Sequence, residues 1–124
     1  MLNNTGIKKE TLVSVNQILA DTTNYFATGC VVANTGVDAG ADGKKIIKAG
    51  TPVKGDSMNP TTAYTVATAD ATGVLVHDVD VTNGNANASV LLFGFVDVNN
   101  VDASVKALYT SEVVSALNKI TFVG

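Results

Sequence analysis

The chain has 124 residues, enough for one domain with one core, and only 15% of them are charged, against roughly 25% in an average domain. Its net charge is −3, with eight Lys and no Arg, which removes the positive field and the guanidinium forks on which phosphate and base recognition lean. No stretch approaches the ~20 consecutive apolar residues of a membrane-spanning helix, so neither a nucleic-acid nor a membrane partner is expected.

Sparse charge on a small protein leaves much of the exterior neutral or apolar, the kind of surface that a partner covers. Seven aromatic residues, no Trp and little Leu argue against a large helical core. The single cysteine, Cys30, cannot form an internal disulfide; within the apolar run 26–33 it reads as a small buried hydrophobe. Residues 1–10 are polar and do not read as a secretory signal, so synthesis in the cytoplasm is expected.

Residues 1–24 differ in pattern from the rest of the chain and are read as an N-terminal arm; residues 25–124 are read as a single β-rich domain. In the arm, Ile7, Leu12, Val15, Ile18 and Leu19 are spaced loosely as one helical face, although 11–15 alternates in part as an extended segment would. The arm is either a frayed terminus or a partner-binding segment.

Residues 25–33 (YFATGCVVA) form the first good strand, with Gly29 a place for a bulge. The glycine- and aspartate-rich stretch 34–45 is a long turn. Asp38 and Asp42 lack the donor spacing of a calcium loop, and turn chemistry accounts for them. Short strands are expected around Ile46 and Ile47 and again over 63–67, separated by the turn that Pro52 imposes.

Two apolar segments, 73–81 and 90–98, stand at the centre, with an Asn- and Gly-rich hairpin loop over 83–87. In the first, Val74 and Val76 share one parity and Val79 and Val81 the other, so the strand ends or bulges at His77-Asp78. In the second, Leu91, Phe93 and Phe95 alternate with Val90, Leu92 and Val96, which makes both faces apolar. One small core covers one face; the other then calls for a helix or a second subunit. Beyond Asn100 the pattern turns helical: a short turn over 101–108, then a helix capped by Thr110 with Glu112 in its first turn, before a last strand ending near Val123.

Chemistry-bearing constellations are scarce. His77 beside Asp78 has the makings of an oriented base, yet no nucleophile elbow exists and Cys30 lies in an apolar run. One His and one Cys are too few for a zinc site. The residues therefore point to no enzyme, no metal and no cofactor.

The strings AGTPVKGD (49–56) and ATGVLVHDVDVTNGNANASVLLFGFVDVNNVDA (71–103) resemble the bacteriophage head-fibre and head-decoration proteins. That family carries an Ala-Gly-Thr-Pro opening, a Gly-(Val/Ile)-(Leu/Val)-x-His-Asp-Val-Asp-Val strand and a Gly-Asn-Ala-x-Val loop and strand. A Leu/Val-Phe-Gly-Phe-Val run and an Ile-Thr-Phe tail complete the pattern. Here these fall on 49–52, 73–81, 84–90, 92–96 and 120–122. Lambda-type head decoration proteins share a looser version.

The resemblance implies a mainly β fold: a small β-barrel-like (β-tulip) domain with one or two short helices and an N-terminal arm, assembled as a homotrimer. It further implies an auxiliary capsid protein on the exterior of a phage head, with the major capsid protein as partner and shell stabilisation as its task. On that reading Ile7, Leu12, Val15, Ile18 and Leu19 are candidates for the capsid-binding arm, and His77, Leu91, Phe93 and Phe95 for trimer contacts. A virion-surface module for host attachment or glycan binding is the alternative, since the neutral loops 57–62 and 82–89 present amides to sugars.

Overall fold

The computed structural model describes residues 18–21, 23, 25–56, 58–59 and 62–124. These form eight strands: β1 (Phe26–Val32), β2 (Ile46–Ile47), β3 (Pro52–Lys54), β4 (Thr65–Val66), β5 (Gly73–Leu75), β6 (Val79–Asp80), β7 (Ala86–Asp97) and β8 (Ile120–Val123). Two short helices, α1 (Ala103–Lys106) and α2 (Ser111–Ala116), lie between β7 and β8. The protein is mainly β.

The long strand β7 organises the sheet, whose order is β1-β7-β5-β3-β4. These neighbours run antiparallel, while β8 joins the far end of β7 in parallel, Gly94 opposite Ile120 through Asp97 opposite Val123. On the opposite edge of that same end, Leu19 bridges Val96, with Asp97 N–H donating to Ile18 C=O at 2.7 Å and Ala20 N–H to Phe95 C=O at 2.9 Å. The short segment around Leu19 thus resumes the edge that β1 leaves at Phe26. Ile18 and Leu19, assigned to the arm by sequence, pack into the domain; Ile7, Leu12 and Val15 lie outside the described residues.

The expected barrel is not closed. Among the described residues, the sheet's two edge strands meet only at one parallel bridge between Val32 and Tyr64, where Tyr64 N–H donates to Val31 C=O and Ala33 N–H to Tyr64 C=O, each at 2.8 Å. Closure of a small barrel requires ladder bonds along both edges, and β4 is only two residues long. The result is a curled, open sheet pinned at one point.

The phase slip at His77-Asp78 has a structural counterpart. Residues 76–78 turn a corner between β5, inside the main sheet, and β6, which pairs with β2 in a separate two-stranded sheet. The expected hairpin loop is shorter than its composition suggests. Ala86 and Asn87 already pair with Val32 and Val31, so β7 begins at Ala86 and takes β1 and β5, not β6, as ladder partners. Ser and Asn are tolerated there because that end of β7 is only half-buried.

The core has two parts, one on each side of the sheet. On one side Val74, Leu91 and Val96 meet Ile18, Val105, Val113, Leu117 and Ile120, so the helices and the Leu19 segment supply the cover. On the other, Leu75 and Val90 meet Val32, Val53, Tyr64, Ile47, Val79 and Val81, the curl of the sheet closing over the small β2–β6 ribbon. Of the two covers expected for the second face of β7, a helix or a second subunit, the chain supplies the helix. Val90, Leu91 and Val96 are all fully buried by their own chain.

Local capping agrees with the sequence. The Thr110 hydroxyl accepts from Val113 N–H at 3.3 Å at the start of α2, and the Asp102 carboxylate accepts from Ser104 N–H at 2.9 Å at the start of α1. Tyr109, between the helices, packs against Phe122 of β8 with ring centroids 4.7 Å apart and planes tilted by 48°, and fixes that end of the chain onto the helical layer.

Candidate interaction surface

One irregularity in β7 produces the most distinctive surface. Phe26 pairs with Phe93, but the next residue, Ala27, pairs with Leu91, so Leu92 is skipped as an extra residue. A bulge of this kind reverses the alternation of side chains beyond it. Leu91 and Val96 consequently share one core cluster although five residues apart, and Leu92 packs against the other. Phe93 is turned outward, 48% exposed, beside Phe26 at 57%.

Tyr25, 44% exposed, stands on the opposite face of the sheet, the one it shares with Ala27 and Leu91. It lies over Gly94, where an added Cβ would come within 3.0 Å of the Tyr25 Cβ; Gly94 also has φ +152. A side chain at 94 would lift Tyr25 off the strand and strain the backbone. Phe26 and Phe93, paired across the strands and both exposed, form apolar surface of the kind that a partner covers.

The four residues expected at a trimer contact do not form one surface. Leu91 is buried in the helical-side core, Phe95 is half-buried, Phe93 is in the exposed patch, and His77 is exposed at the corner after β5. Sequence reading missed Tyr25 and Phe26, which looked like ordinary strand residues. Only the pairing of Phe26 with Phe93 reveals that both rings face water.

Among the described residues, no hydrogen bond joins His77 to Asp78. The Asp78 carboxylate accepts a 2.7 Å hydrogen bond from Ala49 N–H and so holds the β5–β6 corner against the turn at 49–52. Cys30 is partly buried at the edge of the second core, and burial raises its thiol pKa, which disfavours the thiolate that nucleophilic chemistry needs. Among the described residues no three His, Cys, Asp or Glu side chains gather where a metal ion could sit. No helix among them is long and apolar enough to cross a membrane.

An open groove of about 420 Å³ runs between the β2 ribbon and α1, lined by Val37, Ile46, Ile47, Val66, Val105 and Leu108. Its polar rim offers no convergent set of donors: the Thr51 hydroxyl is committed to Lys48 C=O at 2.7 Å, and Lys48 pairs with Asp102 at 3.5 Å. This arrangement can bury apolar surface.

No protein-family model matches the chain, and no curated protein matches it.

Proposed function

We propose that the protein is a non-enzymatic auxiliary capsid protein of a tailed phage, bound as a homotrimer to the outer surface of the head, where it stabilises the shell. The observation that carries this reading is the string of motifs resembling head-fibre and head-decoration proteins. Its segments at 49–52, 73–81, 84–90 and 92–96 lie on or beside β3, β5, β6 and β7, around one strand, and the 120–122 tail lies on β8 against β7.

The physical logic needs no active site. Three modest footprints joined in one trimer bind a lattice multivalently, and a ligand that engages only the mature shell stabilises it by mass action. The exposed rings of Tyr25, Phe26 and Phe93 supply apolar surface for such contacts, in place of the whole face of β7. Residues ahead of Ile18, which itself packs into the domain, would act as an arm onto the major capsid protein, adding backbone hydrogen bonds at a sheet edge.

The test is co-sedimentation of the purified chain with phage shells stripped of their decoration protein, before and after expansion. Saturable binding to expanded shells alone is expected; no binding to either form overturns the reading. The alternative, a virion-surface module that attaches to host glycans, draws on Phe26 and Phe93, since sugar faces stack on exposed aromatics. Selective hits on a glycan array, lost in Phe26→Ser, would favour it.

A further inference from the structure

Among the described residues, the outer edge of β1 is uncovered at Ala27 and Gly29, before the Tyr64 bridge begins. Its residues Phe26–Val32 read FATGCVV, without Lys, Pro or any charge, whereas natural edge strands are usually blunted by one of these. The hydrogen bonds to Tyr64 reveal which groups face outward. Val31 C=O and Ala33 N–H both point away from β7, so by the two-residue alternation the N–H and C=O of Ala27 and Gly29 do as well. Among the described residues, nothing pairs with the outward groups of Ala27 and Gly29.

Two features of this edge fit each other. Gly29 is exposed and open: a side-chain carbon built on it meets no atom within 4 Å. Tyr25, four residues earlier, is an exposed ring. If two copies of β1 pair antiparallel about an axis at Ala27, each Tyr25 stands opposite Gly29 of the other copy. An aromatic ring over a cross-strand glycine is a favourable pairing in sheets. The match is reciprocal, as a twofold interface demands.

We propose that the β1 edge is a docking surface for a second copy of this chain, the two strands pairing antiparallel about a twofold axis at Ala27. In this register the pairs Ala27 with Ala27 and Tyr25 with Gly29 exchange backbone hydrogen bonds. Pairing ends before Val31, where Tyr64 already occupies the edge, so the register avoids a collision that pairing centred further along would meet. Phe26 of each copy falls opposite Thr28 of the other, which draws the Phe26–Phe93 patches toward the junction.

Area shows why both elements are needed. The exposed halves of Phe26 and Phe93 amount to roughly 200 Å², below the largest patches on monomers, against about 800 Å² per partner in a standard interface. Ring packing alone is too small; a continuous sheet through β1 supplies the remainder and sets the register. The proposal does not rest on the capsid reading. A closed shell has twofold as well as threefold relations between its sites, so this contact adds to a threefold assembly.

The full chain, Gly29→Pro and Gly29→Lys are compared by sedimentation velocity at micromolar concentration, with circular dichroism to confirm the fold. Proline deletes the outward N–H, which bonds nothing inside the sheet, and lysine sets bulk and charge where Tyr25 of the other copy would lie. The expected result is an even-numbered assembly for the unaltered chain, halved in mass by both variants. Gly29→Lys decides the outcome if Gly29→Pro fails to fold. A trimer unaffected by either variant overturns this proposal and leaves the threefold reading standing; a monomer overturns both. Halved mass with no shell binding retains this contact and removes the capsid reading.

Discussion

Tyr109 donates a 2.7 Å hydrogen bond from its hydroxyl to the carbonyl of Gly50, a residue 59 positions earlier in the chain. It ties the linker between the two helices to the turn that leads into β3, and it does so in a partly buried setting that raises the phenol pKa through desolvation. Gly50 sits at φ +91, and a Cβ there would come within 2.9 Å of the same hydroxyl. Tyr109→Phe should cost about 1 kcal/mol, the net value of one hydrogen bond. Gly50→Ala should cost more, about 2 kcal/mol, because backbone strain is added to the lost space. Urea midpoints rank the two, and an equal or reversed order contradicts the account.

Tyr64 predicts the opposite sign. Its ring is buried against Gly55, where an added Cβ would lie 2.5 Å from the ring, and its hydroxyl has no hydrogen-bond partner among the described residues. An unsatisfied buried hydroxyl is destabilising, so Tyr64→Phe should leave stability unchanged or raise it by up to about 1 kcal/mol. A drop of more than that in chemical denaturation would mean the hydroxyl is bonded after all.

Leu91 and Phe93 separate folding from assembly. Leu91 is fully buried and Phe93 is about half exposed. Leu91→Ala should lose about 3 kcal/mol of stability, while Phe93→Ser should lose under about 1 kcal/mol yet weaken any self-association that uses the patch. Thermal melts and sedimentation on the same pair check both halves. A large stability loss in Phe93→Ser would show that the ring is part of the core.

Acid should destabilise the fold through two aspartates. Asp80 is held below the ordinary carboxylate pKa by the Thr82 hydroxyl at 2.6 Å and then the Thr82 N–H at 2.9 Å. Asp102 is lowered in the same way by the Ser104 hydroxyl at 2.7 Å and N–H at 2.9 Å. A depressed folded-state pKa gives stability that is present above the unfolded value, about 3.9 for Asp, and is lost as pH falls through the folded value. Melting temperatures should therefore decline below about pH 4. The double variant Asp80→Asn, Asp102→Asn should show a flatter acid limb; an unaltered limb would place the acid sensitivity elsewhere.

His77→Ala tests the reading of the corner. The backbone turn is held by Asp78 through Ala49, not by the imidazole, so His77→Ala should leave the melt within about 0.5 kcal/mol. Asp78→Ala should cost about 1–2 kcal/mol, because the Ala49 N–H loses a charged acceptor. Reversal of these two magnitudes in denaturant titration would assign the corner to the histidine.

The features that the residues determined by themselves are those set by near neighbours along the chain. The Thr110 cap, the break at His77-Asp78, the turn before β3 and the strand nature of 26–32 depend on local dihedral preference and on side chains two or three positions away. Strand partnership belongs to the tertiary structure alone. Nothing in the polar run 86–89 announces a strand; it becomes one because β1 lies alongside to take its hydrogen bonds. Nor does alternation in 91–95 disclose that Leu92 is skipped, which buries Leu91 and turns Phe93 to water. Both faces of β7 are apolar for a reason the one-dimensional pattern cannot hold: the chain itself returns, as two helices on one side and a curled sheet on the other, to cover them.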